Sequence, residues 1–158
     1  MPLQPILSEQ AIAAGSNTET HNIILDFAPN VSEVKVDRNK FSQIVANLLS
    51  NAIKYSPKGG RITLRARNDY SGGRVIVSVI DEGICIGPDD KESLFNMFHR
   101  IQRPETVAIH GIGLGLYIVK EWTEAMGGQV WFESELNKGT TFYLALPMCP
   151  AEKVKLAV

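Results

Sequence analysis

Gly111, Gly113 and Gly115 stand at every second position in His110-Gly111-Ile112-Gly113-Leu114-Gly115-Leu116, which runs directly into an apolar, helix-forming segment. Glycine serves where backbone must approach another molecule closely or take a positive φ. Backbone N–H groups at such a turn, at the start of a helix, form an anion site suited to phosphate. Alone, the segment reads more readily as a flexible loop before a helix; the phosphate reading prevails because three other segments point at the same ligand.

A second group lies on the segment Asp37 to Tyr55. Asn47, Asn51, Lys54 and Tyr55 fall at i, i+4, i+7 and i+8, beside the apolar stripe of that helix. A carboxamide oxygen is a hard, neutral ligand that suits Mg²⁺, which takes few protein groups and several phosphate oxygens. A lysine meets phosphate as a point charge. The same pattern fits a solvated helix face, although asparagine is a poor residue for a helix interior.

Asp81 follows Val75, Val77 and Val79 in a period of two, so its carboxylate emerges on an apolar face. A buried, unpartnered carboxylate is costly. Its partner is either a purine amino group or the N–H groups of a neighbouring turn. In Leu94-Phe95-Asn96-Met97-Phe98-His99-Arg100, the phenylalanines can anchor a mobile segment while Arg100 reaches phosphate. A plain packing turn with a solvated arginine fits equally well. No G-x-x-x-x-G-K-[ST] occurs, which excludes a P-loop.

The elements that must position these residues follow from periodicity. Ile6 to Ala14 is weakly helical. Ile23 to Phe27 and Val34 to Val36 read as short strands. Asp37 caps a helix whose Phe41, Val45, Leu48, Leu49 and Ala52 share one face, ending at Ser56-Pro57-Lys58-Gly59-Gly60. Arg61 to Arg67 alternates as a half-exposed strand, Ser71-Gly72-Gly73 turns the chain, and Val75 to Asp81 reads as a central strand. Gly83 to His110 shows little periodicity. Leu114 to Met126 is a second helix, with Leu114, Ile118, Trp122 and Ala125 on one face, stopped by Gly127-Gly128. Gln129 to Leu136 and Thr140 to Leu146 form a hairpin, and the chain from Pro147 reads as a frayed end. Hairpins with interspersed helices predict a two-layer α/β sandwich of the α+β kind, a mixed, mostly antiparallel sheet against about three helices.

The 158 residues fit one domain, which buries roughly 68–70% of its unfolded surface. The net charge of −1 gives no general attraction to nucleic acid or membrane, and composition is ordinary for a soluble protein at 44% hydrophobic and 21% charged. Cys85 and Cys149 show no metal spacing and fit a reducing compartment. No apolar run approaches the roughly 18 residues of a membrane span, and the N-terminal residues lack a signal-peptide pattern. The expected location is cytoplasmic, as a free protein or as the cytoplasmic part of a membrane-bound sensor.

These motifs resemble, in order, those of the catalytic ATP-binding domain of sensor histidine kinases, in the superfamily shared with gyrase, heat-shock chaperone and mismatch-repair ATPases. Asn47 to Ser56 is similar to the N box and Asp81-Glu82-Gly83 to the start of the G1 box. Phe95 to Arg100 is similar to the F box, Gly111 to Leu116 to the G2 box, and Gly139-Thr140-Thr141-Phe142 to the terminal hairpin signature.

The resemblance implies the Bergerat fold with an ATP lid, and a division into a lead-in at 1–20, the ATP-binding domain at 21–148 and a flexible tail at 149–158. It implies ATP and Mg²⁺, with Asn51 and Asn47 on the metal and Lys54 and Arg100 on phosphate. Tyr55, Asp81, Gly83, Ile86 and Thr140 would surround the base, and Gly111, Ile112, Gly113, Leu114, Gly115 and Leu116 the phosphates and lid hinge. The implied reaction is γ-phosphoryl transfer to a histidine on a separate helical dimerisation domain, with a response regulator downstream. The domain would be monomeric in isolation, with no nucleic-acid partner and no direct membrane contact.

The superfamily's ATPases resemble one another in a glutamate at the position of Asn47. Asparagine cannot take a proton from water, which favours transfer over hydrolysis. Two departures matter. Cys85 replaces the second glycine of the G1 box, and His21, His99 and His110 lack a phosphoacceptor context. Of the three, His21 is expected at the surface and His99 and His110 solvated in the lid. The alternatives are a degenerate docking module with an impaired nucleotide site and a serine-directed kinase of the anti-sigma type.

Overall fold

The computed structural model describes residues 1–84, 94–96, 115–135 and 138–149. Five strands form one sheet in the order β1-β2-β3-β5-β4, and three helices pack on it among the described residues. The two-layer α/β sandwich expected from the sequence is the fold observed. Among the described residues, no helix is long and apolar enough to cross a membrane.

Helix α1 (Gln4–Gly15) begins with a proline in its first turn, where the missing N–H costs nothing. It buries Leu3, Ile6, Leu7 and Ala11 and lies against α2 and β1. The segment read as a lead-in therefore carries a helix that shares the common core.

Helix α2 (Arg38–Lys54) starts where Asp37 accepts the Lys40 N–H at 2.9 Å, satisfying one of the orphan donors of the first turn. The expected stripe of Phe41, Val45, Leu48, Leu49 and Ala52 is buried, joined by Ile44. Strands β1 (His21–Phe27) and β2 (Gly60–Asp69) pair in parallel. Parallel neighbours need a crossover, and α2 is that crossover. Strand β3 (Arg74–Asp81) returns antiparallel to β2.

Helix α3 (Gly115–Ala125) leads to β4 (Gln129–Glu135) and β5 (Gly139–Pro147). Strand β5 inserts between β3 and β4, pairing antiparallel with both. This leaves β3 at the centre of the sheet, as its apolar run predicts. Period-two burial of Ile62, Leu64 and Ala66, of Val75, Val77 and Val79, and of Leu144 and Leu146 builds the face that meets the helices.

Four expectations change. Val34 to Val36 is not a strand: it makes one isolated bridge, Val34 to Met148, because Pro29-Asn30 and the nearby cap at Asp37 leave it no room. The chain from Pro147 is not frayed at its start, since Pro147 pairs with Arg74 and the Cys149 N–H donates to the Glu33 carbonyl at 2.8 Å. On α3 the buried residues are Val119 and Thr123, with Leu116, Trp122 and Met126 packed beside them, while Ala125 is exposed. The face is rotated because α3 must touch both α2 and β4. His21 is half-buried rather than surface, its ring held between neighbouring groups.

Candidate functional site

The site begins with Asp81, which ends β3 only 3% exposed. One carboxylate oxygen, Oδ1, accepts both the Gly83 N–H at 2.9 Å and the Thr140 N–H at 3.2 Å. The second, Oδ2, carries no hydrogen bond to a described residue and belongs to a side chain lining a cavity. Burial pushes the carboxyl from 3.8 up to about 6, against the two N–H bonds that pull it down. Burial wins because loss of water disfavours the charged form more than two neutral donors restore it.

Both partners of Asp81 come from close backbone approaches. At Gly83 a Cβ would overlap the Tyr55 carbonyl oxygen, and at Gly139 it would overlap the carbonyl oxygen of Asp81 itself. Gly139 also holds φ +95°, a left-handed conformation that glycine takes without strain. The end of α2, the end of β3 and the start of β5 therefore converge. The Ile84 N–H seals the junction by donating to the Tyr55 carbonyl at 2.9 Å. Thr140, 4% exposed, links Ser134 at 2.9 Å and the Ile84 carbonyl at 3.4 Å.

The cavity is partly open to solvent and is lined by Asn51, Tyr55, Asp81, Ile84, Leu94, Leu116, Thr140 and Phe142. Five residues singled out in the sequence, Asn51, Tyr55, Asp81, Leu116 and Thr140, meet there from four different elements. Apolar walls with one buried carboxylate oxygen suit a flat, amino-bearing ring. Phe95 backs the cavity, its ring 6.0 Å from Phe132 and 6.2 Å edge-on from Phe142.

Asn47 and Lys54 lie outside that cavity. They line a groove between α1 and α2, together with Gln43 and Ser50. The amide of Asn47 is already engaged: its oxygen accepts from Gln43 Nε2 at 3.0 Å and its nitrogen donates to the Gly115 carbonyl at 3.4 Å. It thus ties α2 to the first residue of α3. Asn51, one turn on, makes no side-chain hydrogen bond to a described residue and lines the cavity. A free carboxamide oxygen beside the cavity fits a hard cation such as Mg²⁺.

Cys85, Ile86, Arg100, Gly111, Ile112, Gly113 and Leu114 lie outside the described residues, as do His99 and His110. Sequence reasoning missed Gln43, Ile84, Leu94 and Phe142 as site residues. Gln43 stands four residues before Asn47 on the same helix face, and Phe142 shares the inward phase of Leu144 and Leu146. Ile84 had no signal beyond its neighbours.

Residues 36–150 match the family described as histidine kinase-, DNA gyrase B- and HSP90-like ATPase, and the chain belongs to it. The sensor histidine kinase WalK of Bacillus subtilis (strain 168) is 41% identical over 114 residues, covering 72% of this chain and 19% of WalK. The chain therefore spans only about a fifth of that relative. Among solved structures, the mycobacterial sensor histidine kinase MprB superposes with a TM-score of 0.83 at 25% identity, covering 95% of this chain and 98% of that one. Full-length ShkA in complex with AMPPNP superposes with a TM-score of 0.77 at 29% identity, covering 96% of this chain and 31% of ShkA. Fold and motif order are those of a histidine kinase catalytic domain.

Proposed function

We propose that this chain binds ATP with Mg²⁺ in the cavity around Asp81 and donates the γ-phosphoryl group to a histidine on a separate helical dimerisation domain. A response regulator would take the phosphoryl group next. The carrying observation is the division of labour at Asp81: Oδ1 holds the loop, and Oδ2 remains for the adenine amino group. Tyr55, Ile84, Leu94, Leu116 and Phe142 would enclose the base. ATP is the ligand class of the family, and AMPPNP is bound by the structural relative ShkA.

Asn51 is the residue for the metal, with Lys54 and Arg100 on phosphate. When bound, Mg²⁺ supplies charge neutralisation at the phosphate oxygens. Asn47 is better read as a tie between α2 and the glycine-rich start of α3 than as a ligand. Because Asn47 carries no carboxylate, no base stands there to activate water. The chain's part in catalysis is to position ATP and exclude hydrolysis. The setting consistent with these roles is the cytoplasmic portion of a larger sensor protein.

Calorimetric titration with ATP, with and without Mg²⁺, tests this reading. Saturable, Mg²⁺-linked binding that Asp81→Asn weakens is the expected result. A folded chain that binds no ATP would overturn it.

A further inference from the structure

We propose that His21 is a positioning residue for the nucleotide cavity, acting through Ser56; the proposal rests on the ATP-binding reading of that cavity. His21 is the first residue of β1, far in sequence from every motif of the site. Its Nε2 lies 2.7 Å from the Ser56 carbonyl oxygen and 3.1 Å from Ser56 Oγ. A carbonyl oxygen only accepts, so Nε2 carries the proton and donates. On the other side of the ring, Nδ1 is hydrogen-bonded to the Thr18 hydroxyl at 2.6 Å. Ser56, 3% exposed, spends its own hydroxyl proton on the Ala52 carbonyl of the last helical turn.

The consequence lies one residue back. Ser56 follows Tyr55, the C-terminal cap of α2, and the Tyr55 carbonyl receives the Ile84 N–H at 2.9 Å. Gly83 packs on that same carbonyl with no space for a side chain, and Gly83 is bound to Asp81. The backbone from Tyr55 to Ser56 is thus gripped on one side by His21 and on the other by the loop that holds Asp81. Gly60, paired with His21 across β1 and β2, donates its N–H to the Thr20 carbonyl at 3.1 Å and closes the back of the turn. Removing the imidazole frees the carbonyl of Ser56 and lets Tyr55 and the Ile84 bond drift.

Three variants separate this role from general support of the fold. His21→Gln keeps a donor near the position of Nε2, His21→Asn keeps only a group near Nδ1, and His21→Ala keeps neither. ATP affinity of the purified chain and hydrogen exchange of the Ile84 amide are measured for each. The expected result is an ATP Kd raised about fivefold in His21→Asn and His21→Ala, within twofold of wild type in His21→Gln, with faster Ile84 exchange in the first two alone. Equal affinity and exchange in all three, or equal weakening in all three, overturns the proposal. If wild type binds no ATP, the reading of the cavity fails, and Ile84 exchange without nucleotide decides the His21 link by itself.

Discussion

The backbone N–H of Thr140 meets Oδ1 of Asp81 at 3.2 Å, joining residues 59 apart in the chain. Strand β5 thereby delivers the donor that turns the carboxylate. With Gly83 on the same oxygen, the other oxygen is left to the cavity. A buried carboxylate held this way is a cost to the fold that a bound ligand would offset.

Asp81→Asn should separate binding from stability. The carboxyl sits at about 6, above its ordinary 3.8, so the folded chain holds this proton more tightly than the unfolded chain. Its contribution is fully present below about pH 4 and is lost as pH rises through 6. The loss comes to about 3 kcal/mol at neutral pH. The asparagine variant should be more stable than wild type by about 1–3 kcal/mol at pH 7 and no more stable at pH 4. Denaturant unfolding at the two pH values checks this, and ATP affinity should fall by about 1–3 kcal/mol at pH 7.

Asn51→Ala should leave the fold almost untouched, since the amide makes no hydrogen bond to a described residue. The Mg²⁺ dependence of ATP binding should disappear, with affinity in the presence of Mg²⁺ reduced at least about tenfold. Paired thermal unfolding and titrations in Mg²⁺ and in chelator read both. Persistence of the Mg²⁺ effect would remove Asn51 from the metal.

Gly83→Ala should destabilise the fold by about 1–3 kcal/mol, because the added methyl meets the Tyr55 carbonyl and the Ser56 Cα rather than a movable side chain. ATP binding should fall with it, as the loop carrying Asp81 is pushed from α2. Thermal unfolding and titration of the same sample test the linkage.

Asp37→Ala should cost about 1 kcal/mol through loss of the bond to the Lys40 N–H. Asp37 caps one end of a 17-residue helix whose other end carries Tyr55, roughly 25 Å away. ATP affinity at a temperature where the variant is fully folded should stay within twofold. This variant is the control for Gly83→Ala.

Much of this protein was legible because its signals are local. The stripe on α2 repeats every 3.6 residues, β2 alternates every two, and Asp37 announces a helix start. Asp81 declared itself by sharing the phase of three valines, which placed a charge on an apolar face before any partner was known. Asn51 and Tyr55 were visible because four residues of helix return to one side. The resemblance to histidine kinase catalytic domains added roles to residues already marked by spacing.

Other decisions belonged to the tertiary structure. The sequence left Asp81 a purine amino group or a neighbouring turn, and the fold gives it the turn on one oxygen while leaving the second to the cavity. Asn47 and Asn51 look alike on a helical wheel, yet Gln43 and Gly115 engage the first and leave the second free. The buried face of α3 was misjudged because α2 and β4 together, not the helix alone, determine which side is covered. His21 looked like a surface residue because nothing near it in sequence predicts the Ser56 carbonyl. Periodicity reports which way a side chain points within its own element. What it meets there depends on contacts between distant segments, and those exist only once the sheet has brought β1, α2, β3 and β5 together.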